Sequence, residues 1–446
     1  MSKETRIGIV PDGFGTFILR QKLTSNDAGD WGIEPQENAC GVLRSTNFTN
    51  EGILNLDDVA RRSLSETKCR EKTLREGDII IERSGGSENQ PVGRVGYITS
   101  NIGRLGYSFS NFIQRITLDG SVNPKFVFYC LQRMHEMGVT LGMQTQTTGI
   151  RNLDYKFYIR SRLPEPDRPE QDQIVIALES VDSAIAVARK SIARAERLQR
   201  GLMQQLLTGR LKPDGSSRNA NEFVEDPKLG LVPKGWIVEK GWKLAEKITK
   251  GQSPKWQGFD YTNSGMLFVT SENVRDGFLD LTEPKYLPLE FNKKIKGSEL
   301  RVGDVLINLV GASIGRSCIF TSDQSPANIN QAVCLFRPKA GIVSRYVAYY
   351  LRLSAAVNRL LSSQVETARA NLSLGDVRRL KFMLPQDEGE QKEIAGQLDE
   401  AWSLIEAKKV KVSALERLKK SLMQNLLTGR IRVPVGALSS KGLPHE

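Results

Sequence analysis

The sequence predicts an α+β protein made of two tandem domains. They are separated by two long antiparallel coiled-coil helices, in a pseudo-twofold internal repeat. Three observations predict this. Short motifs recur in one order along the chain, two 41-residue segments align without a gap and carry heptads, and charge along those segments is polarised.

The repeat comes first. "LMQQLLTGR" (Leu202–Arg210) returns as "LMQNLLTGR" (Leu422–Arg430), identical at eight of nine positions. "RIGIVPDGF" (Arg6–Phe14) matches "KLGLVPKGW" (Lys228–Trp236), and "STNFTNEGIL" (Ser45–Leu54) matches "SENVRDGFL" (Ser271–Leu279). "REGDIII" (Arg75–Ile81) pairs with "RVGDVLI" (Arg301–Ile307), "VNPKFVFYCL" (Val122–Leu131) with "IVSRYVAYYL" (Ile342–Leu351), and "TGIRNL" (Thr148–Leu153) with "TARANL" (Thr367–Leu372). All keep one order at offsets of 219 to 226, which excludes chance. Each copy is a globular segment followed by a helical one. Within the globular segments, Asp78–Glu82, Asp304–Asn308 and Lys156–Ile159 read as strands, and Pro124–Met134 and Ser344–Leu353 as short helices.

The helical segments, Glu170–Arg210 and Glu390–Arg430, share 17 of 41 positions. Seam positions in the first are Ile174, Val181, Ala188, Ala195 and Leu202, with Leu178, Ile185, Ile192, Gln199 and Leu206. The second offers Ile394, Ala401, Lys408, Leu415 and Leu422, with Leu398, Ile405, Val412, Lys419 and Leu426. Gly209 and Gly429 stand where a left-handed residue ends a helix. Each segment begins acidic (Glu170, Asp172, Glu179, Asp182; Glu390, Glu393, Asp399, Glu400) and ends basic (Arg189, Lys190, Arg194, Arg197; Lys408, Lys409, Lys411, Arg417). A parallel pair would oppose like charges, so the pair is expected antiparallel. About 38 residues of helix would make a spacer of about 57 Å.

The chain of 446 residues is 39% hydrophobic and 26% charged, which reads as globular. No apolar run suits a membrane span and the N-terminus lacks a signal-peptide core, so a cytoplasmic setting is expected. Five scattered cysteines and two histidines offer no zinc spacing, so no metal or cofactor is expected. The chain has no Pro-Pro for an adenine-methyltransferase turn. It also has no F-x-G-x-G loop, no phosphate loop and no P-D…E-x-K nuclease cluster. A non-enzyme follows. Net charge of +12 points to a polyanion, because neutralised phosphates release counterions. Two unequal domains on a spacer suggest bipartite reading of a duplex, whose half-sites recur about every 34–36 Å.

With these features the chain resembles the specificity subunit of a type I DNA restriction-modification system. The residues carrying the resemblance are the twin Glu170-Gln171 and Glu390-Gln391 helix starts, after strands ending at Leu163-Pro164 and Leu384-Pro385. The "LLTGR" ends and the "G-x-V-P-x-G-aromatic" starts complete it. The resemblance implies two target-recognition domains. It also implies two adenine methyltransferase subunits and, for cleavage, restriction subunits as partners on double-stranded DNA. Expected boundaries are 1–168 and 212–388 for the recognition domains, the second with its linker, 169–211 and 389–432 for the spacer helices, and 433–446 for a tail. One departure is an insertion, Ser87–Gln90, before Gly93-Arg94, where the second copy has only Gly311–Arg316. Two alternatives stay open: a recognition subunit serving a fused nuclease-methyltransferase, or a scaffold that does not bind DNA.

Bases are read by Arg, Lys, Asn, Gln and hydroxyl side chains on loops. Candidates in the first domain are Thr46, Asn47, Arg83, Ser84, Gly86, Arg94, Asn111, Gln114, Gln146, Arg151 and Asn152. In the second they are Lys250, Gln252, Ser253, Lys255, Asn308, Ser313, Arg316, Asn330, Gln331, Arg369 and Asn371. Arg83, Arg94, Lys255, Arg316 and Arg369 are also suited to phosphate. "YKFYIR" (Tyr155–Arg160) reads as a core strand rather than a stacking platform. A coiled-coil seam does not require Gln204, Thr208, Arg210, Gln424, Thr428 or Arg430, so these are candidates for partner docking.

Overall fold

A computed structural model describes residues 2–37, 39–87, 90–147, 150–361 and 371–433. The chain divides into two compact units, Met1–Arg189 with Val410–Glu446, and Lys190–Lys409. Each long helix, Arg168–Leu207 and Glu388–Leu427, therefore contributes one half to each unit.

Both units follow one plan. In the first, a four-stranded antiparallel sheet runs in the order Leu23–Ala28, Ile113–Leu118, Ile79–Glu82, Val95–Tyr97. In the second, the order is Ala245–Lys250, Val333–Pro338, Val305–Asn308, Ser317–Ile319. Each unit adds a smaller sheet with one parallel pair, Cys40–Leu43 with Ser108–Phe109 and Met266–Val269 with Ala327–Ile329. The apolar runs at Ile79–Ile81 and Val305–Ile307 are fully buried, as strands covered on both faces should be. The aspartate of each "R-x-G-D" motif ties the turn before its strand. Asp78 accepts from the Arg75 N–H at 2.8 Å, and Asp304 from the Arg301 N–H at 2.7 Å.

The Glu-Gln pairs at the helix starts now have a cause. Gln171 donates to the Pro166 carbonyl (2.8 Å) and accepts from the Asn123 N–H (2.8 Å), fastening the long helix to the start of helix Pro124–Glu136. Gln391 does the same with the Pro385 carbonyl (3.0 Å) and the Val343 N–H (2.9 Å), at helix Ser344–Arg352. In the first unit Glu170 pairs with Arg432, at 2.6 Å through two oxygens, and Arg432 lies over the Phe14 ring. In the second unit Glu390 pairs with Arg218 at 2.5 Å, and Arg218 lies over Trp236. These are the aromatics of the two "V-P-x-G" motifs.

The helices run antiparallel within each unit, as charge predicted. In the first, Lys419 meets Asp182 at 2.7 Å and Arg189 meets Glu416 at 2.6 Å. In the second, Lys409 faces Glu196 at 3.8 Å and Lys408 donates to Ser191 Oγ at 2.8 Å. None of the twenty expected seam positions is exposed. Even Lys408 and Lys419 fit, because their stems line the seam while their heads find partners.

One element departs from expectation. Tyr155–Tyr158 is a short helix, not a strand, with Asp154 capping it through the Phe157 N–H. Over four residues the two periods cannot be told apart. The repeat held the answer: Ser373 caps helix Leu374–Arg379 at the matching place after "N-L". Tyr158 is core all the same, fully buried and stacked near Tyr155.

Gly209 adopts φ +65°, and a Cβ there would lie 2.2 Å from Pro233 Cγ. Gly201, mid-helix and exposed, has open space around it. Gly209→Ala should therefore cost about 1–3 kcal/mol, whereas Gly201→Ala should stabilise by about 0.5–1 kcal/mol. Urea unfolding of the two variants checks both signs.

Candidate nucleic-acid interface

The candidates gather at one end of each four-stranded sheet. In the first unit the strands stop or start there at Ala28, Glu82, Val95 and Ile113. In the second the same edge holds Lys250, Asn308, Ser317 and Val333.

In the first unit an added three-stranded sheet, Gln144–Thr147, Ile150–Leu153 and Ser84–Gly86, joins this edge. It brings Ser84, Gly86, Gln146, Arg151 and Asn152 together by register, since Arg151 pairs both Gly86 and Gln146. Ser84 Oγ donates to Asn152 Oδ1 at 2.6 Å, and Ser45 Oγ donates to the Ser84 carbonyl at 2.8 Å. Thr46 is thereby placed beside them, exposed. Asn111 is exposed in the turn whose Phe112 carbonyl takes the N–H groups of Arg83 and Ser84. Arg83 donates to Gln114 at 2.9 Å and lies over the Tyr155 ring. Gln114 is buried and passes the chain on to Asn26 at 2.7 Å, where the Tyr155 hydroxyl also donates, at 2.5 Å. Asn26 and Ser45, not among the sequence candidates, join the candidates' hydrogen-bond network; Ser45 opens a repeated motif, whereas Asn26 carries no local signal.

In the second unit Lys250, Gln252 and Lys255 are exposed and Ser253 half-buried on one loop. That loop lies against the Asn330 loop through the Gly251 N–H to the Asn330 carbonyl, 3.1 Å. Asn330 is half-buried and its side chain accepts from the Ala332 N–H, and Gln331 is exposed. Ser313 is half-buried and Arg316 exposed in the next loop, and Asn371 bridges to Val310 beside it. Arg369 lies outside the described residues, as do Thr148, Gly149, Glu88 and Asn89 and the side chain of Gln146.

Three candidates are architecture, not readers. Asn47 is buried, accepting from the Arg44 N–H and donating to the Asn55 and Asp58 carbonyls. Asn273 does the equivalent work in the second unit, so the shared "S-x-N" is a loop staple. Arg94 is buried in a two-pronged pair with Glu82, 2.7 and 2.8 Å, and donates to the Phe48 and Ser45 carbonyls. Asn308 is fully buried and donates to Ser271 and Val274 carbonyls and Ser313 Oγ. A buried group so engaged cannot turn to a base without leaving its partners unpaired. Among the partner candidates, Gln204, Arg210, Gln424 and Arg430 are exposed. Thr208 and Thr428 instead donate to the carbonyls of Gln204 and Gln424, finishing their own helices.

Among the described residues no group of three or more His, Cys, Asp or Glu could hold a metal ion. No described helix is long and apolar enough to cross a membrane.

Comparison with known proteins agrees with this geometry. Residues 247–417 match the family described as the type I restriction modification DNA specificity domain. A curated relative, the MjaVIII specificity subunit of Methanocaldococcus jannaschii, is 25% identical over 393 residues, covering 87% of this chain and 85% of its own. The EcoBI specificity subunit of Escherichia coli is 26% identical over 323 residues, 70% of this chain and 65% of its own. A solved chain from work on complex assembly and conformational transition of the type I R-M system shares the fold. Its TM-score is 0.55 at 18% identity, over 95% of this chain and 99% of that one. The type I system S subunit from M. genitalium gives 0.52 at 11%, over 95% and 99%. Residues 247–417 thus match a DNA specificity domain of type I systems, and the chain shares the fold of a solved S subunit. Over most of its length the chain is similar to specificity subunits of type I restriction-modification systems.

The structural and surface arginines should separate by unfolding. Arg94→Ala leaves Glu82 buried without its cation and should cost about 3–5 kcal/mol, whereas exposed Arg316→Ala should stay within about 0.5 kcal/mol. Burial already holds Glu82 above the ordinary carboxylate range despite Arg94. A carboxyl raised in the folded state contributes stability at low pH that is lost as pH rises through its folded value. The Arg94→Ala deficit should therefore be smallest in acid and grow towards neutral pH, read by urea unfolding at several pH values.

Proposed function

We propose that the protein recognises an asymmetric bipartite duplex target and brings adenine methyltransferase and restriction subunits to it. One observation carries this reading: the same sheet edge occurs twice, on the same base, with different side chains. Ser84, Arg151 and Asn152 occupy the first edge; Lys250, Gln252, Lys255, Ser313, Arg316 and Gln331 occupy the second. Equal frames with unequal readers suit two unequal half-sites. The net charge of +12 supports a phosphate-following surface, and the cytoplasm, where DNA and its modifying subunits meet, is the proposed setting.

The partners are proposed as two equal methyltransferase subunits. The repeated helix ends present exposed Gln204 and Arg210 in one unit and Gln424 and Arg430 in the other, four polar residues with no seam role. Restriction subunits join for cleavage.

Methylation sequencing of a host expressing the chain with its methyltransferase should reveal one asymmetric, two-part adenine motif; a single undivided motif would overturn the reading. Arg316→Ala and Lys255→Ala should each weaken duplex binding by about five- to tenfold and flatten its salt dependence by about one ion, read by anisotropy in a salt series. Gln204→Ala with Arg210→Ala should remove one methyltransferase subunit from the complex by native mass, with melting unchanged.

A further inference from the structure

The second unit exposes one large aromatic that its fold makes no use of. Trp256 is 85% exposed, the most exposed large apolar side chain among the described residues. It stands in the turn Lys255–Gln257, on the loop leaving Lys250 at the candidate DNA edge. The turn is held firmly. The Gln257 and Phe259 N–H groups donate to the Pro254 carbonyl at 2.9 and 3.0 Å, and Gly258 closes it at φ +81°. Gln257 donates to Gln252, and Lys294 donates to the Gln257 carbonyl at 3.1 Å.

An apolar home lies close by in sequence. Three residues on, Phe259 joins Phe268 and Phe291 in a small aromatic cluster. Trp256 does not join them, because the pinned turn presents it to solvent. The loop and the helix that pins it are rich in lysine: Lys250 and Lys255 on the loop, and Lys293 and Lys294 at the end of helix Leu289–Lys294 with Lys296 just beyond it, are all exposed, against Asp260 and Glu290. An indole held out of a lysine-rich surface suits a partner that offers phosphates and flat bases together.

We infer that Trp256 is an aromatic wedge that stacks against the bases of the half-site read by the second domain. This rests on the DNA-recognition reading above. The corresponding loop of the first unit, after Ala28, has no such exposed indole among its described residues. It carries Trp31, half-buried under the Arg62 guanidinium at 4.9 Å, which also donates to the Trp31 carbonyl. The distortion made by the Trp256 loop is therefore confined to the half-site of the second domain.

The test uses the full chain with its methyltransferase partner and its recognised duplex. 2-Aminopurine is placed in turn along both half-sites, away from the methylated adenine. Wild type should brighten the probe in one half-site only. Trp256→Ala should abolish that signal and weaken binding about tenfold, and Trp256→Phe should restore part of both. Because the side chain is exposed, unchanged melting confirms that each variant folds. Wild-type brightness and affinity in Trp256→Ala, with Arg316→Ala still impaired, would overturn the wedge and leave DNA recognition standing. Absence of any sequence-selective binding by the wild type would overturn both.

Discussion

Everything else in each unit depends on the junction between a helix end and a "V-P-x-G-aromatic" start. In the second unit this junction is local in sequence. Leu206 and Leu207 are buried with Val232 and Trp236, and Gly209 lets the chain turn away against Pro233. In the first it joins the two ends of the chain: Met423, Leu426 and Leu427 pack in the core that holds Ile7, and Gly429 abuts Phe14. Two bonded charges close each junction, Glu390 with Arg218 and Glu170 with Arg432. The first unit thus needs both termini of the described chain, while the second is formed from a continuous stretch. A lesion in the second "LLTGR" should act on the domain farthest from it in sequence.

The seam divides its tasks between apolar burial and charge. Ile174, Leu178, Ile394 and Leu398 are fully buried at the acidic helix starts, where each helix also meets the globular part of its unit. Further along, polar seam residues such as Gln199, Lys408 and Lys419 are only half-buried. Burial of a leucine-sized side chain is worth about 1.5–3 kcal/mol, whereas an exposed ion pair contributes about 0–1 kcal/mol. The leucines and isoleucines therefore supply the stability. Asp182 with Lys419 and Arg189 with Glu416 decide direction, since reversal would oppose like charges.

What the sequence disclosed and what it hid follow from range. Repeats and heptads are patterns of many residues, so the α+β halves, the antiparallel helices and the cap glycines were legible. The helix at Tyr155–Tyr158 was hidden because four residues carry no period. The candidate loops, named from composition, lie together at one end of each four-stranded sheet. Individual roles were not legible. Whether an arginine faces solvent or a carboxylate depends on the opposite strand, and Glu82 lies twelve residues before Arg94 with no local mark linking them.

That pair shows how one frame can change its readers. By alignment, Glu82 and Arg94 occupy the places of Asn308 and Arg316. In the first unit the arginine must be buried, because the carboxylate beneath it is fully buried and would otherwise stand unpaired. In the second, a neutral asparagine fills the strand end and satisfies its amide on nearby carbonyls, so no cation is demanded. Arg316 is then exposed at the edge. A single exchange at the base of the sheet thus decides whether an arginine serves the fold or the surface, without disturbing the strands that carry it. Divergent recognition on a fixed scaffold needs few such exchanges.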